Sequence, residues 1–197
     1  MRKYFFFFPA LLLAVLFTDC YKEPQTIVEK VIETDTLYIG IHDTLTLNNF
    51  ADTVTTLIVV RHAETTGVGS NPPLSAAGQE RAMELVRILK DVPIKGVYTT
   101  NYARTMQTAQ PSATDKGLTL QLYDPLEPSS FADNVLAAHH GEVVLVIGHS
   151  NTVSTLLNTL TGSNTYSTIP DSEYDNLYVV TVLAKGKAQV VHMKYGQ

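Results

Sequence analysis

Two histidines directly follow the two most apolar stretches of the chain. Residues 57–60 lead into Arg61 and His62, and residues 143–147 lead through a glycine into His149. Short continuous apolar runs are typical of strands covered on both faces, and reactive groups in an open α/β sheet lie beyond the carboxyl ends of its strands. If these two strands are neighbours, both imidazoles face one pocket.

Two arginines accompany these histidines. Arg61 precedes His62. Arg104 lies in the first turn of a predicted helix that follows another predicted strand, at residues 94–99. A guanidinium group is permanently charged, and its fork geometry suits phosphate oxygens. Two arginines and two histidines at one sheet edge, without nearby carboxylate ligands, indicate a site for an oxyanion rather than for a metal ion. We therefore expect no metal and no other cofactor.

Strands and helices alternate after residue 54, which predicts an α/β fold. We expect a three-layer sandwich in which a largely parallel or mixed sheet lies between helices on both faces, with an antiparallel hairpin at one edge. Ser75 is the expected N-cap of the first helix, and Pro111 is expected to kink or shorten the second. The predicted strands are 55–60, 94–99, 118–123, 142–147, 174–183 and 188–195, and the predicted helices are 75–90, 102–116, 130–140 and 151–160.

The first 20 residues are typical of an export signal. A basic start at Arg2 and Lys3 precedes an apolar run from Tyr4 to Phe17, shorter than the ~20 residues of a membrane span. The only cysteine, Cys20, follows that run. This arrangement resembles bacterial lipoprotein signals, in which the cysteine is lipidated and becomes the N-terminus. We expect a lipid-anchored protein of the bacterial envelope, facing the periplasm or the surface; the alternatives are an exported form not cut at Cys20 and an uncleaved anchor.

Residues 21–54 differ in composition from the rest of the chain. They are rich in threonine and contain an Asp-Thr-aliphatic triplet three times. We interpret them as a tether with short extended pieces that links the signal to a catalytic domain at residues 55–197. The alternative is that residues 36–47 add a strand to the edge of that domain.

The overall composition describes a globular protein. Of 197 residues 45% are hydrophobic, and the single cysteine cannot close an internal disulfide. The 14 basic and 19 acidic residues give a net charge of −5. Because no basic surface is indicated, we expect no nucleic acid partner.

Four motifs follow one another along the domain. They are Arg61-His62-Ala63-Glu64-Thr65, Leu74-Ser75-x-x-Gly78-Gln79, Arg104-Thr105-x-Gln107-Thr108-Ala109 and Gly148-His149. In this order and spacing they resemble the histidine phosphatase superfamily, whose fold is that of the phosphoglycerate mutases. The resemblance covers residues 55–197. The short chain is similar to the small, single-domain phosphatases of that superfamily.

The resemblance implies a mechanism that needs no metal ion. Neutral His62 attacks phosphorus and becomes a phosphohistidine, which water then hydrolyses. Arg61, Arg104 and His149 hold the phosphoryl oxygens and stabilise the charge of the transition state. One ring nitrogen of His62 should be free and the other bound to a backbone acceptor.

The resemblance also implies a carboxylic acid that protonates the leaving group. Asp124 is the first candidate because it lies at the end of the third predicted strand, and an Asx turn before Pro125 is its competing structural role. Glu127 and Glu64 are the alternatives. A site without a strong acid is the remaining possibility, and it would favour activated substrates.

These features predict a phosphomonoester hydrolase acting on a phosphorylated small molecule or glycan outside the cytoplasm. The alternatives are a phosphohistidine-protein phosphatase, a phosphoglycerate mutase and a non-catalytic module that binds anions. The short length and export signal argue against the mutase, and the full set of two histidines and two arginines argues against the non-catalytic module. The candidates for substrate contact are Asn71, Thr100 and Asn151.

Overall fold

The computed structural model describes residues 36–39, 43–46 and 54–196, and the side chains of residues 54–196. These residues divide into two units, which meet in sequence between residues 52 and 53. In the first unit, β1 (Thr36–Ile39) and β2 (Asp43–Thr46) pair as an antiparallel hairpin. Among the described strands, these two pair with each other in a two-stranded sheet. The predicted lipidation site, Cys20, lies outside the described residues.

The second unit consists of a six-stranded sheet and four helices within residues 54–196. Four strands run parallel in the order β5-β4-β6-β3, and β7 and β8 continue the sheet in antiparallel fashion. This confirms the predicted α/β class with a mixed sheet and a hairpin edge. The elements are β3 (Thr55–Arg61), α1 (Ala76–Ile88), β4 (Ile94–Thr99), α2 (Ala103–Asp115), β5 (Leu120–Leu122), α3 (Pro128–Ala138), β6 (Val143–Gly148), α4 (Ser150–Thr161), β7 (Asn176–Ala184) and β8 (Lys187–Lys194).

The central strands are apolar on both faces because helices cover both faces. Side chains alternate along a strand, so Leu57 and Val59 of β3 join one core cluster while Ile58 and Val60 join the other. The first cluster includes residues of α3 and α4, and the second includes residues of α1 and α2. The result is the three-layer arrangement that the continuous apolar runs predicted.

Two local expectations have different outcomes. Ser75 is the N-cap of α1, since its Oγ accepts a hydrogen bond from the Gly78 N–H at 3.2 Å. Pro111 was expected to kink or shorten α2, yet the helix continues through it to Asp115. A proline inside a helix removes the hydrogen bond from its own nitrogen, but Ala109 and Ala113 on either side are fully buried against the sheet. Their packing holds the helix together across the missing bond.

Within the described residues, no helix has both the length and the apolar character that crossing a membrane requires.

Candidate active site

The two histidines lie side by side because their strands are neighbours. In the parallel pair of β3 and β6, Arg61 lies opposite Gly148, and the His62 N–H donates to the Gly148 carbonyl at 2.9 Å. The rings of His62 and His149 have centroids 5.5 Å apart with an interplanar angle of 69°. The structure therefore brings both imidazoles to one end of the sheet.

His62 presents one ring nitrogen to the cavity. Its Nδ1 lies 2.8 Å from the carbonyl oxygen of Ala63, which can only accept a hydrogen bond, so the proton is assigned to Nδ1 and the lone pair to Nε2. Burial lowers the pKa of His62 from 6.5 to about 4, and the nearby charges of Arg61 and Arg104 act in the same direction; the bond to Ala63 partly opposes them. At neutral pH the ring is neutral and its Nε2 lone pair is available.

His149 is held through both of its ring nitrogens. Nε2 lies 2.9 Å from the Thr100 Oγ1, and Nδ1 lies 3.3 Å from Nη2 of Arg104. Because a guanidinium can only donate, Nδ1 accepts and Nε2–H donates to Thr100. Burial lowers the pKa of His149 to about 4, as do the charges of Arg104, His62 and Arg61. The second imidazole is therefore also neutral when the site is empty.

A pair of buried threonines continues this hydrogen-bond chain. The Thr100 Oγ1 lies 2.8 Å from the Thr105 Oγ1, which in turn lies 3.0 Å from the carbonyl oxygens of Thr100 and Tyr102. The His149 Nε2–H donates to the Thr100 hydroxyl, which donates to the Thr105 hydroxyl, which donates to a backbone carbonyl oxygen. The chain fixes the tautomer that leaves Nδ1 facing Arg104.

Arg104 reaches the cavity from the first turn of α2. Its guanidinium carbon lies 4.5 Å from the centre of the Tyr102 ring, and the Tyr102 and His149 rings are 5.1 Å apart. A guanidinium over an aromatic face is attracted by the ring quadrupole. Tyr102 thus restrains Arg104 and His149 together at the cavity wall.

Arg61 is positioned differently from Arg104. It is buried, and its Nη1 contacts the carbonyl oxygens of Pro170, Asp171 and Glu173 at 2.8, 3.1 and 3.0 Å. Its guanidinium carbon lies 4.3 Å from the Tyr174 ring centre, and that ring is 6.0 Å from the ring of His62. Nη1 is thus occupied by the loop before β7, while Nε is buried without a hydrogen-bond partner.

The remaining motif residues hold the backbone around His62. The Thr108 Oγ1 accepts from the Ala63 N–H at 2.9 Å and donates to the Arg104 carbonyl at 2.7 Å. Gln107 accepts from the Leu74 N–H at 2.8 Å. A Cβ at Gly78 would lie 2.1 Å from the Glu64 carbonyl oxygen, so α1 can approach the His62 loop only with glycine there.

His62, Arg104 and His149 line a cavity of about 570 Å³, and Arg61 is not among its lining residues. Among the predicted contact residues, Thr100 and Asn151 line it, and so does Asp124. Asp124 also makes the Asx turn, because its Oδ1 accepts from the Leu126 N–H at 2.9 Å. The lining residues are His62, Thr100, Asn101, Tyr102, Arg104, Tyr123, Asp124, Pro125, Leu126, His149, Ser150, Asn151 and Thr152.

Besides Arg61, three predicted residues are not among the lining residues of this cavity. The carboxylate of Glu64 makes hydrogen bonds of 2.7 to 2.9 Å with Arg81; partial burial opposes its ionisation, but the bonds from Arg81 outweigh that effect and lower its pKa. Asn71 accepts from the Ala103 N–H at 2.9 Å and so ties its loop to the start of α2. Glu127 is the N-cap residue of α3 and is not among the lining residues.

Three residues of the site were not predicted from the sequence. Tyr123 forms part of the cavity wall, and Thr105 and Thr108 hold the histidines through hydrogen bonds. The only signal for Thr105 and Thr108 was their place in the motif after Arg104. Within residues 54–196, no group of three or more His, Cys, Asp or Glu side chains is placed to hold a metal ion.

Comparison with known proteins agrees with the motifs. The family model "Histidine phosphatase superfamily (branch 1)" matches residues 57–131, which confirms the resemblance in sequence. No curated protein sequence matches the chain.

Solved structures show the same fold at low sequence identity. The protein histidine phosphatase SixA, solved with tungstate, has a TM-score of 0.59 at 20% identity and covers 71% of this chain and 96% of its own. YhfR of Bacillus stearothermophilus has a TM-score of 0.57 at 18% identity and covers 70% and 95%. A mycobacterial glucosyl-3-phosphoglycerate phosphatase has a TM-score of 0.61 at 9% identity and covers 73% and 100%. The fold of the second unit is that of the histidine phosphatases.

Proposed function

We propose that this protein, whose second unit resembles the histidine phosphatases in sequence and fold, is a phosphatase that forms a phosphohistidine intermediate on His62. The observation that carries the proposal is the state of His62. Its ring is neutral, its Nδ1 is bound to the Ala63 carbonyl, and its Nε2 is free among the described residues beside a second imidazole and a guanidinium.

The proposed reaction has two displacements at phosphorus. In the first, the Nε2 lone pair forms the N–P bond as the bond to the leaving oxygen breaks, and the leaving group takes a proton. In the second, the carboxylate left by the acid of the first step takes a proton from water, the water oxygen forms an O–P bond, the N–P bond breaks, and His62 regains its lone pair. Arg104 and the unpartnered Nε of Arg61 supply positive charge to the phosphoryl oxygens, and His149 supplies a donor if its Nδ1 is protonated when the dianion binds.

Asp124 is the proposed proton donor to the leaving group. It lines the cavity, whereas the Glu64 carboxylate is paired with Arg81. We expect Asp124→Asn to slow hydrolysis of an alkyl phosphate by about 100-fold. Hydrolysis of 4-nitrophenyl phosphate should change by less than about threefold, because its leaving group departs without a proton. An equal loss of rate on the two substrates would show that Asp124 is not the proton donor.

A phosphohistidine-protein phosphatase is the second candidate. One observation favours it: the Asp124 carboxylate is engaged by the Leu126 N–H in an Asx turn, and a phosphoramidate needs less help from an acid than an alkyl phosphate does. The solved structures that this chain resembles include a protein histidine phosphatase. We further propose that the protein acts in the bacterial envelope, attached through a lipid on Cys20.

The proposed function is tested by phosphate release from 4-nitrophenyl phosphate in the presence of a chelator. The wild-type protein should turn over, and His62→Ala should reduce kcat at least about 1,000-fold because the nucleophile is gone. His192→Ala removes an imidazole from the exposed edge strand β8 and is the matched control, with unchanged kcat expected. Equal activity of the wild type and His62→Ala would overturn the mechanism.

A further inference from the structure

The charges lining the cavity are concentrated at the phosphoryl position. Among the described lining residues, Arg104 is the only permanent cation, and it lies next to His149 at the base of the site. Arg61 lies nearby with its Nη1 bound to the loop before β7. One phosphoryl group would use both guanidinium groups. A substrate with a second anionic group would find no further arginine or lysine among the lining residues.

The wall around that position is apolar, neutral or acidic. Tyr102, Pro125 and Leu126 form an apolar part, and Leu126 is 81% exposed at the opening. Asn101, Ser150 and Asn151 are polar without charge; these three lie on the wall beside the histidines. Asp124 carries either a proton that it gives up in the reaction or a negative charge, and in neither state does it attract an anion.

The loop before β7 adds further negative charge near Arg61. Asp171 has a side chain that is 98% exposed, and its Oδ1 lies 3.6 Å from Nη2 of Arg61. Glu173 and Asp175 are both paired with Lys194, at 2.9 and 2.8 Å. The one lysine of this region is thus already bound to carboxylates, and Asp171 faces solvent with its charge.

From this distribution we infer that the site selects phosphoryl compounds whose leaving group is uncharged or cationic and partly apolar, and that it discriminates against leaving groups bearing a carboxylate or a second phosphate. The inference rests on the proposed function and narrows it. It favours aryl, alkyl or imidazole leaving groups, and it disfavours phosphoglycerates.

Three substrates of matched shape test the inference. They are phenyl phosphate, 4-carboxyphenyl phosphate and 4-(aminomethyl)phenyl phosphate, which place a neutral, a negative and a positive substituent at the same point. Even when fully screened by water, two like charges about 4 Å apart weaken an affinity by about fivefold. We expect kcat/KM for the carboxylated compound to lie below that for phenyl phosphate by at least this factor, with the aminomethyl compound at or above it. Higher ionic strength should narrow the difference.

A positive charge at position 126, at the cavity opening, should raise kcat/KM for the carboxylated compound relative to phenyl phosphate. Leu126→Lys supplies the missing cation, and Leu126→Gln removes the same apolar side chain without adding charge. The lysine variant should raise kcat/KM for the carboxylated compound about fivefold relative to the glutamine variant. Equal discrimination by the two variants would overturn the electrostatic argument.

Binding to His62→Ala separates this inference from the proposed function. Isothermal titration of that variant with each compound gives dissociation constants whether or not the wild type turns over. If the carboxylated compound binds more weakly than phenyl phosphate and the wild type shows no turnover, the proposed function is overturned. The inference that the site prefers ligands without a second negative charge then still holds. Equal binding of phenyl and 4-carboxyphenyl phosphate would overturn the inference, whatever the turnover.

Discussion

His62 and His149 owe their neutral state to where they lie. His62 is buried, His149 is partly buried, and both rings face permanently charged guanidinium groups, so a proton on either ring is disfavoured. For a nucleophile this is an advantage, because the lone pair is present at neutral pH without a separate base. The phosphate dianion would bring negative charge to Arg104, and to Arg61, whose carboxylate neighbour Asp171 is 98% exposed to solvent.

The titration of these rings in the free protein is a direct prediction. The pKa of each is lowered from 6.5 to about 4, so both stay neutral as pH falls through 6 and 5 and take up protons near pH 4. NMR titration of the imidazole carbon-bound protons measures this, with His62→Ala and His149→Ala used for assignment. A midpoint near 6.5 for His62 would contradict the buried, cation-flanked site.

The same shift has a consequence for folding. The unfolded chain binds these protons near pH 6.5 and the folded chain near pH 4, so acidification through this window favours the unfolded state.

Sequence reasoning at the residue scale could find the histidines and arginines, because their types and motif positions were sufficient. It ranked Asp124 above Glu64 as the acid, but it could not show that the Glu64 carboxylate is paired elsewhere. That pairing is with Arg81, which lies on α1 and meets Glu64 only in the fold. It also did not predict that Arg61 donates hydrogen bonds to the carbonyl oxygens of Pro170 and Glu173. No local sequence pattern links residues so far apart in the chain.

At the scale of elements, strand order decides whether the site forms. β3 and β6 are far apart in sequence but adjacent in the sheet, and β4 lies on the other side of β6. The three strand ends thereby deliver His62, His149 and the start of α2 to one edge. The sequence predicted the strands and their class from apolar runs, but it left the adjacency of β3 and β6 as a condition, because apolar runs carry no information on strand order.

The boundaries of elements were predicted less well where local signals compete. β5 covers only Leu120–Leu122 instead of residues 118–123. α3 begins at Pro128 rather than at Ser130, because proline is well suited to the first turn of a helix, where its missing N–H is not needed. Pro111 in α2 shows the opposite case, in which packing overrides a helix-breaking residue.

Gly78 shows how closely two elements meet beside the site. Replacing a helical glycine by alanine ordinarily stabilises a protein by about 0.5–1 kcal/mol. Here the added Cβ would lie 2.1 Å from the Glu64 carbonyl oxygen, so we expect Gly78→Ala to destabilise the fold by about 2 kcal/mol or more. Urea denaturation measures the change, and Ala77→Ser, at the exposed neighbouring position, is the control with an expected change below about 0.7 kcal/mol. A Gly78→Ala protein as stable as the wild type would show that α1 and the His62 loop lie further apart.

At the scale of the whole molecule, all of the proposed chemistry lies in the second unit. The residues that make the cavity, from His62 to Thr152, and the loop that holds Arg61 all belong to residues 54–196. The division into signal, tether and domain stays a prediction from composition, as does the envelope location.

The proposed lipid anchor is tested on the full chain in a bacterial host. Labelled palmitate should be incorporated into the wild-type protein, because Cys20 would carry the acyl chains, and Cys20→Ala should abolish both labelling and membrane association. Deletion of residues 21–35 with Cys20 retained should leave labelling intact. Labelling that persists in Cys20→Ala would end the lipoprotein hypothesis without affecting the proposed catalysis.

The central claim is that His62 carries the phosphoryl group, and trapping the intermediate tests it most directly. The protein is mixed with labelled 4-nitrophenyl phosphate, quenched in alkali, where phosphohistidine is stable, and digested for mass spectrometry. We predict a phosphoramidate on His62 that is lost on brief acid treatment and is absent from His62→Ala. A phosphoryl group found on another residue, or full turnover in His62→Ala, would contradict the account.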